Sequence, residues 1–209
     1  TLFGELRQPQ GHYLYIPKTS SERRNYIPIG FMPHEALINN TSLFVDHATL
    51  YEFGILSSTM HNAWVRAVCG RLESRYRYSA AIVYNTFPWP DLPEKLEPNQ
   101  PQTPTHKAQT AIEKAAQAVL DARAQFPGSS LADLYDPLTM PPALLKAHQK
   151  LDAAVDAAYA LVGGKKAWKD DAERGAFLFE RYQHLTSLLP AVKGKGKEKT
   201  KGKAGRKQA

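Results

Sequence analysis

The stretch Trp-Val-Arg-Ala-Val-Cys-Gly-Arg-Leu-Glu-Ser-Arg-Tyr-Arg-Tyr-Ser, residues 64–79, contains the change of periodicity that decides the fold. Up to Gly70, apolar residues recur every three or four positions and predict one side of a helix: Leu50, Phe53, Leu56, Met60, Trp64 and Val68. Gly70 suits the end of that helix, because glycine readily adopts a left-handed conformation. From residue 71 to 79, charged and apolar residues alternate, which predicts a strand. A helix leading directly into a strand indicates an α+β domain.

The predicted strand would carry a row of hydrogen-bonding groups on one face: Arg71, Glu73, Arg75, Arg77 and Ser79. The alternate residues would face a core: Leu72, Tyr76 and Tyr78. Guanidinium groups donate bidentately to guanine and clamp phosphates, and a carboxylate accepts from cytosine N4. The row therefore suits sequence-specific reading of DNA. The alternative is a solvated face whose charges pair with one another.

The rest of the first half predicts short strands. The runs 11–16, 26–31 and 42–45 are aromatic and β-branched and are bounded by Pro, Gly, Asn or Ser. Residues 81–84 are predicted to extend the charged strand as an apolar strand. Residues 1–90 thus predict a small mixed α/β domain.

The second half predicts helices only. Residues 91–104 are rich in proline and predict a linker. Beyond it, three apolar stripes predict an all-α helical bundle over 105–190: Ile112, Ala116, Val119 and Phe126; Leu144, His148, Leu151, Val155, Ala158 and Val162; and Phe179, Tyr182, Leu185 and Leu189. A short helix and turn are predicted over 131–140, and His148 is expected to be a hydrogen-bonded core histidine. We expect two small domains, each with its own core.

The net charge of +7 comes from the C-terminal tail. Residues 193–207 contain seven Lys and one Arg against Glu198 alone, so the rest of the chain is neutral overall. A segment of this composition cannot form a core, and we expect 191–209 to be disordered. The tail would add salt-sensitive, sequence-blind affinity for phosphates or serve only as a solubilising terminus.

Several kinds of chemistry lack their residue patterns. The seven histidines and Cys69 show no zinc-ligand spacing, and there is no phosphate-binding loop. Asn85-Thr86-Phe87-Pro88 only partly matches the motif of adenine methyltransferases, so we expect no catalytic site and no cofactor in this chain. No apolar run approaches the ~20 residues that span a bilayer, and a single cysteine fits the cytoplasm. Since the chain begins at Thr1 rather than Met, we expect it to be part of a longer protein.

Seven ordered blocks resemble the C-terminal part of MmeI-type restriction-modification enzymes. The blocks are Ser20–Arg24, Tyr26–Phe31, Phe53–Ser58, Trp64–Gly70, Arg77–Ser79, Tyr84–Pro90 and Leu131–Pro137. Such enzymes carry an N-terminal nuclease, a central S-adenosylmethionine-dependent adenine-N6 methyltransferase, a target-recognition domain and a helical C-terminal domain. The resemblance implies that this chain corresponds to the last two, and that the cofactor, and Mg²⁺ for any nuclease, bind upstream.

The resemblance also implies roles for individual residues. It assigns base contacts to Glu73, Arg75, Arg77, Lys18, Asn40 and Thr41. It is compatible with phosphate contacts, which set register without reading sequence, by Ser20, Ser21, Arg23, Arg24 and Arg71. The expected partners are duplex DNA and the upstream methyltransferase domain of the same chain. Two alternatives from the residues alone are a protein-interaction module with a charged soluble face, and an RNA-binding domain that stacks bases on Tyr13, Tyr15, Tyr76 and Tyr78.

Overall fold

The computed structural model describes residues 8–9, 11–90 and 103–187. The predicted linker, apart from residues 103 and 104, lies outside the described residues, as do Leu189 and the basic tail. In the first half the elements are β1 (Tyr13–Pro17), β2 (Thr19–Ser20), β3 (Gly30–Met32), β4 (Ser42–Asp46), α1 (Leu50–Leu56), α2 (Thr59–Val68), β5 (Gly70–Leu72), β6 (Arg75–Arg77) and a π-helical turn (Ala80–Tyr84). The second half consists of α3 (Pro104–Ala124), α4 (Leu131–Leu134), α5 (Pro142–Ala160) and α6 (Asp171–Thr186). This confirms the predicted α+β class with a helical second half.

The strands form two small antiparallel sheets. One has the order β3-β1-β4, and the other has the order β2-β6-β5. The predicted strands at 11–16 and 42–45 correspond to β1 and β4, whereas only the end of the 26–31 run becomes strand, as β3. In the second sheet β2 pairs with β6 in the register Thr19 to Arg77, so a short segment after β1 lies beside the charged stretch.

The charged stretch is a hairpin, and the prediction of one strand over 71–79 is wrong. Strands β5 and β6 pair antiparallel with Leu72 opposite Arg75, which leaves Glu73 and Ser74 as the turn. Glu73 has a φ of 56°, in the left-handed region. The hairpin lets β6 pair with β5 on one side and β2 on the other, so its backbone groups are satisfied at both edges. Leu72 is 43% exposed and does not face a core.

Two further expectations about the first half are corrected. Residues 80–84 form the π-helical turn rather than a strand, with Asn85 N donating to Ala80 O at 2.9 Å. Only Val83 of this turn is buried, and Trp64 Nε1 donates to its carbonyl at 3.2 Å. The single predicted helix is two, because the Ser58 hydroxyl accepts from His61 N at 3.3 Å and caps a new helix.

The two halves share one hydrophobic core, contrary to the expectation of separate cores. Helix α3 packs against both α5 and α1, and α2 packs against α6. At Gly54 of α1, an added Cβ would lie 2.6 Å from Ile112 Cγ2 of α3, so glycine permits the close approach of these helices. The helical half therefore supports the first half directly.

A buried polar network crosses the junction between the halves. Arg123 of α3 is 9% exposed and donates to Ile29 O at 2.8 Å and, through Nε, to the Tyr135 hydroxyl at 2.9 Å. The same hydroxyl lies 2.6 Å from Nε2 of His148, which confirms the prediction of a hydrogen-bonded core histidine. Buried hydrogen bonds of this kind favour a single arrangement of the elements that they join.

Candidate nucleic-acid interface

The tip of the β5–β6 hairpin presents an exposed pair of opposite charges. Arg75 Nη2 lies 2.7 Å from Glu73 Oε2, and the two side chains are 47% and 76% exposed. The sequence predicted that these two residues are neighbours, but for the wrong reason. They meet because Glu73 lies in the turn and Arg75 begins the returning strand, not because they alternate along one strand.

The hairpin separates the predicted row of arginines onto two faces. Residues directly opposite each other in an antiparallel pair project to the same face. Arg71 is opposite Tyr76 and shares its face, whereas Arg75 and Arg77 lie on the other face together with Thr19. The prediction of one row is therefore wrong for Arg71.

Arg71 contacts the hairpin itself. Its guanidinium carbon lies 4.2 Å from the centre of the Tyr76 ring, and its Nη1 donates to Ser74 O at 3.0 Å. Tyr76 is only 7% exposed. The guanidinium thus lies between a buried ring and the backbone of the turn.

The loop that contains Asn40 and Thr41 is connected through Lys18 to the end of β6. Lys18 N donates to Thr41 O at 3.1 Å, and Lys18 Nζ donates to Asn40 O at 2.6 Å. Lys18 O in turn accepts from Tyr78 N at 2.7 Å, immediately after Arg77. The structure therefore places four predicted base-reading residues on connected segments: Lys18, Asn40, Thr41 and Arg77.

The loop around residue 40 is ordered by a residue that the sequence prediction missed. Asn39 Oδ1 accepts from Thr41 N at 3.0 Å and from Thr41 Oγ1 at 2.5 Å, which is an Asx turn. The Asn-Asn-Thr-Ser run between two apolar stretches was the available signal. The side chains of Asn40 and Thr41 are exposed.

The predicted phosphate-contacting residues differ in their accessibility. Arg23 is exposed, and the Ser21 hydroxyl accepts from Arg23 N at 3.3 Å. Ser20 pairs with Tyr76 and is 4% exposed, so its side chain is not available at the surface, contrary to the expectation. Arg24 is partly buried, and its Nη2 donates to Ala132 O of α4 at 3.3 Å.

The loop at residues 21–25, which carries Arg23 and Arg24, is held in place by side chains that the sequence did not single out. Arg66 of α2 donates through Nη2 to Asn25 O at 3.2 Å, and Asn62 Nδ2 donates to the same oxygen at 3.2 Å. The other end of the Arg66 guanidinium pairs with Asp171 at the start of α6. Only the structure shows that Arg66 and Asn62 share the carbonyl of Asn25 and that Arg66 also pairs with Asp171.

Two buried titratable groups beneath β6 are uncharged near pH 7. His61 lies under β6, with Nε2 2.9 Å from the Tyr78 hydroxyl. Burial lowers the pKa of His61 to about 3 and raises the pKa of Tyr78, so both groups are uncharged near pH 7.

The described residues include no group of three His, Cys, Asp or Glu side chains that could hold a metal ion. No helix within the described ranges is long and apolar enough to cross a membrane.

Tyr13, Tyr76 and Tyr78 are 1%, 7% and 3% exposed, so these three have no free ring face on which a base could stack. This removes most of the stacking surface that the RNA-binding alternative required. The exposed side chains of the hairpin tip thus carry both a hydrogen-bond acceptor, Glu73, and a donor, Arg75.

The chain belongs to the MmeI family. Residues 1–91 match the family model described as the MmeI target recognition domain, and residues 104–190 match that of the MmeI C-terminal domain. The chain is 38% identical over 184 residues to DNA methyltransferase A of Bacillus subtilis (strain 168), covering 88% of this chain and 19% of that protein. It is 52% identical to the type IIL restriction-modification enzyme MmeI solved in complex with DNA, with a TM-score of 0.75 over 88% of this chain and 22% of that one. The chain thus spans about a fifth of the length of each relative.

Proposed function

We propose that this chain is the part of a restriction-modification DNA methyltransferase that recognises the target sequence in duplex DNA. The observation that carries the proposal is the exposed Glu73–Arg75 pair at the hairpin tip, at one end of the strand β6 whose other end adjoins the segments of Lys18 and Asn40. A carboxylate that accepts from cytosine N4, next to a guanidinium that donates to guanine O6 and N7, reads one C·G pair in a fixed orientation. Arg77, Lys18, Asn40 and Thr41 would contact neighbouring base edges.

The contacts to the DNA phosphates would come from the loop at residues 21–24. Arg23 is the most accessible cation of that loop, while Arg24 is shared with the helical half. Contacts to phosphate would set the register of the hairpin in the major groove, and base contacts would supply the specificity.

The catalytic steps would take place outside this chain. By family membership, an upstream domain of the same protein would bind S-adenosylmethionine and transfer a methyl group to adenine N6 after extruding the base. A nuclease domain, where the full protein has one, would require Mg²⁺. The protein would act in the cytoplasm, where its DNA substrate lies.

Exchange of the two charges tests the proposal in the full-length protein. The double variant Glu73→Lys with Arg75→Asp retains one donor and one acceptor in exchanged places, so the preferred base should change from C to G at one position. Each single change leaves two like charges and should lower activity sharply. A good bidentate contact contributes ~1–3 kcal/mol of discrimination, enough to be seen when methylated sites are mapped by sequencing.

The matched control is Lys114→Asp with Asp121→Lys, a charge exchange on the exposed face of α3, which should leave the recognised sequence unchanged. A Glu73 and Arg75 double variant that stays active on the original sequence would contradict the assignment. Binding to duplex DNA at moderate salt distinguishes the proposal from the alternative of a protein-interaction module, which would not bind.

A further inference from the structure

One side chain, Arg71, lies on the opposite face of the hairpin from Arg75 and contacts the backbone of the turn. Glu73 adopts a φ of 56°, a strained conformation for a residue other than glycine, which persists only where the surrounding structure holds it. Arg71 Nη1 donates to the carbonyl of Ser74, the other turn residue, at 3.0 Å. This hydrogen bond holds the second residue of the two-residue turn.

The same guanidinium is anchored to the core. It lies 4.2 Å above the Tyr76 ring, and that ring is 7% exposed in the shared hydrophobic core. A cation over a tyrosine face is attracted by the ring quadrupole, and the planar guanidinium can stack and donate at the same time. Arg71 therefore connects the backbone of the exposed turn to a rigid buried ring.

We propose that Arg71 is a positioning residue for base recognition, which holds the turn so that Glu73 and Arg75 face one base pair. This proposal rests on the proposed function and adds to it a role for a residue that does not itself contact a base. It replaces the expectation that Arg71 contacts phosphate. The plane of the guanidinium stacks on Tyr76, and one of its nitrogens donates to the turn. Arg71 also lies on the opposite side of the hairpin from Arg75 and Arg77.

The variant Arg71→Lys separates the two roles. Lysine keeps the charge that a phosphate contact needs but has no planar group that can stack on Tyr76 while donating to the turn. Methylation of oligonucleotides that differ only at the base pair read by Glu73 and Arg75 should lose discrimination by about fivefold or more in the full-length Arg71→Lys protein. Its affinity for random duplex DNA, and the salt dependence of that affinity, should equal those of the wild type.

Two further variants complete the test. Tyr76→Phe retains the aromatic face and should preserve discrimination, whereas Tyr76→Leu removes the face and should relax the same base position as Arg71→Lys. Thermal unfolding of each variant identifies loss of fold. If Tyr76→Leu unfolds, the comparison of Arg71→Lys with Tyr76→Phe still decides the question.

The opposite pattern would overturn the inference. If Arg71→Lys equals the wild type at every site, while Arg71→Ala weakens all sites alike and lowers the salt slope by about one, Arg71 is a phosphate contact. The charge exchange at Glu73 and Arg75 separates this failure from that of the proposed function. If the exchange alters specificity but Arg71→Lys does not relax it, only the positioning role is wrong; if the exchange alters nothing, both proposals fail.

Discussion

The guanidinium of Arg66 donates to the backbone carbonyl of Asn25 at 3.2 Å, and so ties helix α2 to the loop that carries Arg23 and Arg24. The Arg66 side chain also pairs with Asp171 at the start of α6. The loop thus depends on both halves of the chain. The helical half has no predicted contact with DNA, but through this link it can determine where the phosphate-contacting loop lies.

Replacement of Arg66 should loosen this loop. In the variant Arg66→Met the carbonyl of Asn25 loses a charged donor and Asp171 loses its partner, so we expect a loss of about 1–3 kcal/mol in the free energy of unfolding. Binding to all DNA sites should weaken together, because the loop contacts carry no base identity. Denaturant unfolding and affinities for several duplexes provide the measurements.

The double variant Arg66→Met with Asp171→Asn is the matched control for that prediction. It removes the unpaired carboxylate and should recover part of the lost stability. DNA binding should stay weak, because the hydrogen bond from residue 66 to the carbonyl of Asn25 is still absent. Full recovery of binding in the double variant would contradict the positioning role of Arg66.

Arg23 and Arg24 should behave differently, although both were expected from the sequence to contact phosphate. Arg23→Ala should weaken all DNA sites alike and lower the slope of log affinity against log salt by about one, without loss of stability, since Arg23 is exposed. Arg24→Ala should also lower stability, because its Nη2 donates to Ala132 O. Arg23→Lys, which keeps the charge, is the control. Degeneracy at one base position in Arg23→Ala would make Arg23 a base reader instead.

The parts of the fold that the sequence predicted are those determined by local periodicity. The stripes ending at Val68, at Val162 and around Tyr182 each contain helix, and His148 is buried where its stripe placed it. The hairpin at Glu73 was missed because Glu-Ser lacks the Gly or Asn that usually marks a two-residue turn. The run Ala-Ile-Val-Tyr at 81–84 is too short for periodicity to separate a strand from one helical turn.

The parts that the sequence could not predict depend on contacts between distant residues. The pairing of Thr19 with Arg77 brings two predicted DNA-contacting segments together, and no local pattern encodes it. The shared core was missed because Arg123, a charged residue on α3, is buried against Ile29 O and Tyr135. The candidate site was therefore predictable as a set of residue types, whereas the placement of its arginines on two faces of a hairpin was not.

The histidine in the buried network should make stability depend on pH. Burial, followed by the nearby Arg123 charge, lowers the pKa of His148 to about 3 from the ordinary value of 6.5. Because the folded state then binds fewer protons than the unfolded state, the contribution of His148 is complete above pH 6.5 and is lost as the pH falls from 6.5 towards 3. Between pH 7 and pH 5 this amounts to about 2 kcal/mol.

The variant His148→Gln isolates this contribution, because it removes the titrating ring. The buried carboxyl groups of Asp152 and Asp156 have raised pKa values, which change stability with pH in the opposite direction. Both carboxyl groups are present in the wild type and in the variant, so their effect cancels in the comparison. Urea unfolding at pH 7 and pH 5 should show that the wild type loses about 2 kcal/mol more than the variant. His184→Gln, at an exposed histidine, should retain the wild-type pH dependence. Equal losses in the wild type and His148→Gln would mean that His148 does not control the pH dependence, and that the Arg123–Tyr135–His148 network tolerates a protonated imidazole.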